Sequence, residues 1–347
     1  MNNFHKLIIK RGAKAFGRHY WGKVGEEVFK RLDFYTRKHF HTILAAPQGF
    51  GKTRMLKEYF KHFCTTSYKF LDQTSVAAIL GTVESSRGKI VNVSIPPTVR
   101  FRFTIIPDLS AMLRDQRVEL KKFQLNLNML VDAEKMGKSV SIKLAKVGGQ
   151  KYKKDGSPLE CVKEAEDYGI TFDMDYMTYD SSGILILCFL NTFLEKLETD
   201  TLSRFQKMVY GKGETIYMFN YLLRHSFLPR YAPPKVPKEW IDRIQAIFPP
   251  DLKTPRELTD FMHVAGGSQD ERCGTQLDEM DFEFAMGNLY KNYGWQKKHN
   301  ATLSYRQYIV FHLKNFYGYD EIRHILGLSE GRIRHIVSQV KKKISQM

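Results

Sequence analysis

The stretch between residues 42 and 60 constrains what this 347-residue chain can fold into more than any other part of it. A short apolar run ending at Leu44 leads into a loop that carries glycines at positions 49 and 51. Four apolar residues between positions 55 and 60 then recur at helical spacing and predict an amphipathic helix. A strand, a glycine-containing loop and a helix in this order are the parts of a phosphate-binding βα unit, so an α/β domain is predicted.

The loop carries the residues that binding a nucleotide would need. Glycines let backbone N–H groups turn inward around phosphate oxygens, and the helix that follows adds a partial positive charge. Lys52 would reach the β- and γ-phosphates as the catalytic cation, and the Thr53 hydroxyl would ligate Mg²⁺. The candidate nucleotide-binding residues are Gly49, Phe50, Gly51, Lys52, Thr53 and Arg54. The alternative is a tight strand-to-helix turn that holds no nucleotide.

The string APQGFGKT at positions 46–53 resembles the variant phosphate-binding loop of the AAA and STAND classes of P-loop NTPases. It departs from the pattern G-x-x-x-x-G-K-[ST] at Ala46, where the pattern has glycine. The resemblance implies a P-loop NTPase-like domain over residues 41–228, with ATP and Mg²⁺ as cofactors. It also leads us to expect a homo-oligomer formed through that domain.

A P-loop enzyme also needs a carboxylate at a strand end to hold Mg²⁺ and water. Apolar residues lead into Asp173 and Asp175, which would share one face of a strand, so we predict Asp173 as catalytic and both as metal ligands. Asp108 is a second candidate, weakened by the proline before it. The string FDMDYMTYD also resembles the acidic motif of archaeo-eukaryotic primases, which keeps a nucleotidyl transferase open as an alternative. A solvated face of a hairpin is the remaining explanation of the pair.

The C-terminal residues 303–344 predict three short helices. Gly318 ends the first, Gly327 makes a tight turn after the second, and Ser329 is a good N-cap for the third. On the third helix, apolar residues recur at positions 333, 336, 337, 340 and 344 and should face inward. Two helices joined by a short turn with glycine form the helix-turn-helix arrangement, whose second helix lies in the DNA major groove.

The outward side of that last helix carries residues suited to reading DNA, because arginine can chelate guanine, glutamine can pair with adenine, and lysine meets phosphates. The candidate DNA-binding residues are Arg332, Arg334, His335, Ser338, Gln339 and Lys342. The string YDEIRHILGLSEGRIRHIVSQVKKKI resembles the helix-turn-helix of sigma-factor region four and of LuxR-type regulators, and departs from it at Arg323 and His324. The alternative is a three-helix packing module with a basic face.

Net charge and cysteine usage limit the partners and the compartment. The formal charge of +17 favours a polyanionic partner, nucleic acid first and anionic membrane second. Four scattered cysteines form no zinc pattern and fit a reducing interior, so a cytoplasmic protein is expected. No apolar run reaches about 18 residues, so no membrane span is expected. Because nucleic acid ranks first for the charge, we expect DNA and no membrane as the partner. The basic N-terminus is a plain helix, a nucleic-acid contact or a targeting segment.

The sequence divides into a basic helical lead-in over residues 1–40, the NTPase-like domain over 41–228, a proline-rich linker with helices over 229–300, and the helix-turn-helix domain over 301–347. Within the NTPase-like domain, residues 170–179 and 184–190 are expected to pair as an inserted β-hairpin. Residues 191–210 are expected to be helical. The predicted fold class is therefore α/β with a β-hairpin insertion, followed by an all-α domain.

The order of the two predicted domains, NTPase first and helix-turn-helix last, resembles ATP-dependent transcription regulators of the STAND type. It also suits DNA-transaction ATPases of mobile elements or phages. We therefore expect a nucleotide-switched, DNA-binding protein that binds and hydrolyses ATP. The alternatives are a nucleic-acid-processing enzyme that uses Asp173 and Asp175 as metal ligands, and a DNA-binding protein whose loop is inactive.

Overall fold

The computed structural model describes residues 11–17, 22–71, 79–86, 89–109, 120–143, 159–172, 176–225, 235–293 and 303–346. These residues form two compact units. The sheet unit holds Glu27–Pro47 and Lys52–Tyr210. The helical unit holds residues 211–346 together with the short segment Gln48–Gly51 and residues 11–17 and 22–26.

A five-stranded sheet, parallel throughout, forms the centre of the sheet unit. From one edge to the other, its strands are β10 Gln206–Val209, β1 Thr42–Ala45, β9 Ile184–Phe189, β5 Phe103–Ile106 and β2 Tyr68–Phe70. The helices of the unit are α1 Gly22–Arg37 from Glu27 onward, α2 Lys52–Phe63, α3 Pro97–Arg100, α4 Leu120–Met136, α5 Glu160–Asp167, α6 Asn191–Leu194 and α7 Thr199–Ser203. The parallel sheet and its helices agree with the predicted α/β class.

The middle of the sheet is its most buried part. Every residue of β1, β5 and β9 is buried, because helices cover both faces of a parallel sheet. The amphipathic helix α2 buries Met55, Leu56, Tyr59 and Phe60, as its periodicity predicts. The predicted strand–loop–helix unit at residues 42–60 is therefore present in the fold.

Two small antiparallel sheets complete the sheet unit. One pairs β3 Thr82–Ser86 with β4 Lys89–Ser94, and the other has the order β6-β8-β7, with β6 Ser139–Lys143, β7 Thr171–Phe172 and β8 Tyr176–Asp180. The predicted hairpin between residues 170–179 and 184–190 is wrong. β8 pairs with β6 and β7, whereas β9 lies between β1 and β5.

Burial explains that correction. β8 alternates buried and exposed residues, as a strand with one solvated face does, whereas all six residues of β9 are buried. The turn at Gly183 leads out of the small sheet, and its N–H donates to Thr98 O at 2.8 Å. The prediction of a helical stretch over residues 191–210 is also wrong in part. Two short helices there are followed by the edge strand β10.

The helical unit is built around aromatic side chains. Its helices are α8 Lys212–Arg224, a 3₁₀ turn Lys238–Trp240, α9 Ile241–Ile247, α10 Pro255–Glu271, α11 Glu279–Tyr293, α12 Tyr305–Leu313, α13 Tyr319–Leu326 and α14 Glu330–Ser345. The rings of Trp240, Phe248, Phe261 and Phe282 are buried and meet edge-on at centroid distances of 5.1 to 5.8 Å. Within the described ranges, no helix combines the length and apolarity needed to cross a membrane.

Candidate phosphate-binding loop and nucleic-acid interface

The loop at residues 46–51 lies at the carboxyl edge of the sheet, directly after the central strand β1. From β1 the chain crosses to the edge strand β2, and from β9 it returns past β1 to the opposite edge strand β10. The connections thus reverse direction at β1, and ligands of open α/β sheets bind at such a reversal, outside the carboxyl ends of the strands. The Ala46 N–H donates to Phe189 O at 3.2 Å, which anchors the start of the loop to β9.

Two glycines give the loop its conformation. Gly49 has φ +78° and Gly51 has φ +95°, values that residues with a Cβ atom rarely adopt. Phe50, between them, is completely buried, so its candidate role in binding is limited to its backbone. Successive backbone N–H groups in such a turn can form a concave anion-binding surface.

Lys52 is the first residue of α2, and its ammonium group folds back over the loop. Lys52 Nζ donates to Ala46 O at 2.8 Å and to Pro47 O at 3.1 Å. These carbonyls hold the cation over the loop, where phosphate oxygens could replace them as partners. Thr53 follows half-buried on the first turn of α2, and Arg54 is exposed. The Lys52 cation and the two glycines with positive φ therefore belong to one short connection between β1 and α2.

The segment Gln48–Gly51 packs within the helical unit. A Cβ atom at position 49 would lie 2.5 Å from Thr254 Oγ1. Thr254 is the N-cap of α10, and its hydroxyl accepts from the Glu257 N–H at 3.3 Å. The loop therefore needs glycine at position 49 for two reasons, its backbone conformation and the close approach of the Thr254 side chain.

Asp108 follows β5 at the same edge of the sheet as the loop. Burial raises the pKa of the Cys188 thiol on β9 to about 12, while the positive charge of Lys52 lowers this pKa and the negative charge of Asp108 raises it. The charges of Lys52 and Asp108 therefore both act on the Cys188 thiol. Asp108 is exposed and not buried under the sheet. The second acidic candidate of the sequence therefore lies at the same edge of the sheet as the loop.

The preferred acidic candidates, Asp173 and Asp175, lie outside the described residues. The strands that flank them, β7 and β8, belong to the three-stranded antiparallel sheet and not to the parallel sheet that carries the loop. Across the described residues, no group of three or more His, Cys, Asp and Glu side chains is placed to hold a metal ion. The metal-ligand role of Asp173 and Asp175 stays a prediction.

Asn191 is a polar residue at this edge that the sequence analysis did not select. It follows β9, the strand between β1 and β5, and its Nδ2 donates to Tyr210 O at 2.8 Å. Its Oδ1 is buried and accepts no hydrogen bond from the described residues. The sequence does contain a signal for Asn191, because it is a polar residue directly after the apolar run at residues 184–190.

The predicted caps on either side of the turn between α13 and α14 are present. The prediction that Gly318 ends the first helix is wrong, because α12 ends at Leu313 and Gly318 is the N-cap of α13. Gly327 ends α13 in the left-handed conformation, with φ +64°, and its N–H donates to Arg323 O at 2.9 Å. Ser329 caps α14, its hydroxyl accepting from the Arg332 N–H at 3.4 Å. Arg323 and His324, where the sequence departs from the helix-turn-helix pattern, are both exposed, so they do not disturb the packing of α13.

Helix α14 divides into an inner and an outer face. Ile333, Ile336, Val337 and Val340 are buried, as predicted, but Ile344 in the last turn is 46% exposed, so its predicted inward position is wrong. The exposed residues of the outer face include all of the candidate DNA-binding residues, Arg332, Arg334, His335, Ser338, Gln339 and Lys342.

Contacts within the helical unit position several of these outer side chains. Arg334 Nε and Nη2 donate to Glu330 Oε1 at 2.7 and 2.5 Å, and its guanidinium lies 4.9 Å from the Tyr319 ring centroid. The bond to Glu330 raises the pKa of Arg334, so its charge is permanent. His335 and Gln339 are joined at 2.9 Å. Glu330 and Tyr319 thus orient Arg334 along the helix surface.

No protein-family model and no curated protein matches this chain.

Proposed function

We propose that this chain is an ATP-binding, DNA-binding protein in which the state of the phosphate-binding loop regulates the helix-turn-helix region. The supporting observation is the loop after β1, where Lys52 Nζ folds onto the Ala46 and Pro47 carbonyls beside two glycines with positive φ. This loop lies where the connections of a parallel sheet reverse direction, which is the ligand position of such sheets. A nucleotide-switched transcription regulator and a DNA-transaction ATPase of a mobile element or phage both fit this description.

Each residue of the loop would have a separate role in binding a triphosphate. Backbone N–H groups of Gly49, Phe50 and Gly51 would surround the phosphates, Lys52 would exchange loop carbonyls for β- and γ-oxygens, and Thr53 would ligate Mg²⁺. Arg54, exposed on the next turn, would add positive charge. Bound ATP supplies the phosphoanhydride bond.

We propose Asp108 as the acidic group that holds water and Mg²⁺ at this edge of the sheet. It follows β5, and its charge and that of Lys52 both act on Cys188. Asp173 and Asp175 would be the metal ligands only in the alternative enzyme, a nucleotidyl transferase acting on nucleic acid. The described part of the chain contains no feature that favours that alternative.

The helix-turn-helix assignment is supported by the caps at Gly327 and Ser329 and by the burial of the inner face of α14. On its exposed face Arg332 and Arg334 lie near the N-terminal end, where contacts with base edges concentrate. His335, Ser338 and Gln339 continue this face, and Lys342 is exposed one turn further on. Arginine reads guanine by two hydrogen bonds, and Lys342 would meet a phosphate.

A physical link between loop and helices supports regulation by nucleotide. The segment Gln48–Gly51 belongs to the helical unit, and Gly49 lies against the N-cap residue of α10. A ligand that fixes the loop would therefore also fix the start of α10, in the unit that carries α14. A ligand shifts such an equilibrium only by its difference in affinity for the two states.

The decisive experiment is ATP binding and turnover, measured with and without Mg²⁺ and with and without DNA. We expect Lys52→Ala to abolish ATP binding and to leave the fold intact, because Lys52 is half-buried at a helix start. Lys61→Ala, an exposed lysine in the last turn of the same helix, is the matched control and should bind ATP normally. Equal ATP affinity in Lys52→Ala and the wild type would refute the phosphate-loop assignment. A wild type that does not bind ATP would favour the inactive-loop alternative.

The proposal also covers the compartment and the assembly state. The four cysteines, Cys64, Cys161, Cys188 and Cys273, are free thiols, which fits the reducing cytoplasm. A homo-oligomer through the NTPase-like domain is part of the proposal. Measuring the mass of the particle with and without ATP would test it.

A further inference from the structure

A cavity of about 380 Å³ lies at the amino ends of the parallel strands, at the opposite edge of the sheet from the loop. The residues just before β1, the residue before β5 and the first residue of β10 contribute to its lining. The lining residues used below are Lys38, His39, His41, Arg102, Glu134 and Lys135. All of them belong to the sheet unit. A cavity of this size can hold a small molecule.

The cavity carries an excess of positive charge. Arg204, also in the lining, is neutralised by ion pairs with Asp132 at 2.9 Å and Asp200 at 2.6 Å. Two other cations bond to neutral carbonyls, Arg102 Nη1 to Ser182 O at 2.7 Å and Lys135 Nζ to Arg204 O at 3.0 Å. A carbonyl satisfies a donor without cancelling its charge. Together with Lys38, these cations outnumber the one carboxylate of the lining, Glu134, so the cavity keeps a net positive charge that attracts an anion.

His39 occupies a backbone position that normally belongs to glycine. The His39 N–H donates to Thr36 O at 3.1 Å, and the Phe40 N–H donates to Tyr35 O at 2.9 Å, which together form a Schellman motif at the end of α1. The residue at the left-handed position of this motif is usually glycine, and His39 adopts φ +54° there. Its imidazole therefore stands at the rim of the cavity at a cost in backbone strain.

His41 supplies a buried donor that faces a carboxylate. Its Nδ1 accepts from the Leu185 N–H at 3.0 Å, so the ring proton of the neutral form is on Nε2. Nε2 lies 3.4 Å from Glu134 Oε2, and the bond with His41 is the main cause that lowers the pKa of Glu134. His41 therefore orients the one carboxylate of the lining and leaves ligand binding to the cations and to His39.

We propose that this cavity binds a small molecule through its phosphate group. Lys38, Arg102 and Lys135 would supply charge, and His39 would supply a hydrogen-bond donor. These donors come from the segment before β1, the residue before β5 and the helix α4, and such converging donors suit the three terminal oxygens of a phosphate better than the single plane of a carboxylate. The site is separate from the nucleotide loop, because it lies at the other ends of the same strands.

Pyrophosphate titrated into the full-length chain by calorimetry tests the proposal. The titration is done in the Lys52→Ala background, so that binding at the nucleotide loop does not contribute. We expect saturable binding with one pyrophosphate per chain. Lys38→Ala should weaken it about tenfold, the loss of one charge-assisted contact. The control Lys163→Ala removes an exposed lysine on α5 and should leave it unchanged.

The variant His39→Gly distinguishes a loss of binding from a loss of folding, because it should raise the stability and lower the pyrophosphate affinity. Glycine relieves the strain at φ +54°, so the melting temperature should rise, while pyrophosphate affinity should fall. Unchanged affinity in this variant, or equal affinities in Lys38→Ala and Lys163→Ala, would overturn the proposal. If pyrophosphate does not bind and Lys38→Ala instead weakens duplex DNA binding, the cavity contacts a nucleic-acid backbone and the small-molecule assignment is wrong.

Discussion

At the scale of single residues, Gly49 is the position where the loop tolerates change least. Its φ of +78° is strained for any residue with a Cβ atom, and that Cβ would lie 2.5 Å from Thr254 Oγ1 and 2.8 Å from Thr254 Cβ. A Cβ atom at position 49 would cause both backbone strain and a steric clash with Thr254. A shift that removes the clash would still leave the strained φ angle. The requirement for glycine here is therefore structural before it is chemical.

We expect Gly49→Ala to lower the free energy of unfolding by about 1–3 kcal/mol and to reduce ATP affinity, because the loop must shift to admit the methyl group. Chemical denaturation and ATP titration measure the two effects. Gly213→Ala is the control, since a Cβ atom there, in the first turn of α8, meets nothing within 4 Å. An unchanged stability of Gly49→Ala would contradict the described loop conformation.

A second prediction at this scale decides which carboxylate acts with Lys52. We expect Asp108→Asn to suppress ATP hydrolysis while ATP still binds, because the amide keeps the shape and loses the charge that holds Mg²⁺ and water. Turnover and binding are measured side by side. Asp167→Asn, an exposed carboxylate at the end of α5, is the control. If Asp173→Asn stops hydrolysis and Asp108→Asn does not, Asp173 holds the role.

At the scale of elements, the first turn of α10 contains a carboxyl group that titrates near neutrality. Burial raises the pKa of Glu257 to about 7, with Asp260 raising it further and Arg256 opposing the shift. Because the pKa is higher in the folded state than in the unfolded chain, the protonated carboxyl stabilises the fold. This contribution is complete below the unfolded pKa of about 4.3 and is lost as pH rises through about 7.

We therefore expect Glu257→Gln, which stays neutral, to change the pH dependence of unfolding. The difference in stability between this variant and the wild type should move in favour of the variant as pH rises from about 5 to about 8. Denaturant titrations at both pH values measure it. A difference that is the same at both pH values would show that Glu257 does not titrate as described.

Helix α14 makes a different prediction for each of its cations. Arg332→Ala should cost about 1–3 kcal/mol on the preferred DNA site and relax specificity there. Arg334→Ala should cost less binding free energy, because Glu330 bonds to the guanidinium at 2.7 Å and competes with DNA for it.

Lys342→Ala should weaken binding to all DNA sequences alike and reduce the salt slope by about one ion. Titrations of specific and random duplexes at several salt concentrations separate these effects.

The parts predicted well from the sequence are those fixed by neighbouring residues. The loop between β1 and α2 and the caps at Gly327 and Ser329 depend on local spacing and on residue types with known backbone preferences. The inner face of α14 follows from periodicity up to Val340. The predicted burial of Ile344 is wrong because periodicity does not distinguish an exposed last turn of a helix from a buried one.

The parts predicted poorly depend on contacts between distant residues. The short turn before Gly183 indicated a hairpin, yet β9 enters the parallel sheet between β1 and β5, and only the whole sheet decides that pairing. Asp108 and Asn191 follow β5 and β9, so their position beside the loop could not be inferred until the strand order was known. Pro107 also made Asp108 a weaker candidate in the sequence, because a proline before the carboxylate argues against a strand end there.

At the scale of the whole molecule, residues 301–347 carry only part of the net charge of +17. Removing them should nevertheless reduce DNA affinity and its salt dependence strongly, because α14 is the proposed main contact. Unchanged affinity and salt slope after that deletion would show that the helix-turn-helix is not the DNA-binding surface. The charge would then act through the basic N-terminal residues or the lysines at positions 151, 153 and 154.

The helical unit is not one continuous piece of sequence, because Gln48–Gly51 and the segments 11–17 and 22–26 belong to it together with the residues after 211. A gene fragment that starts at Gly211 would encode the helices without these pieces. Recombination that exchanges the C-terminal half for that of another protein would need to match Gly49 to a new residue at position 254. The two halves are therefore expected to change together over evolutionary time, with the loop and the start of α10 inherited as a pair.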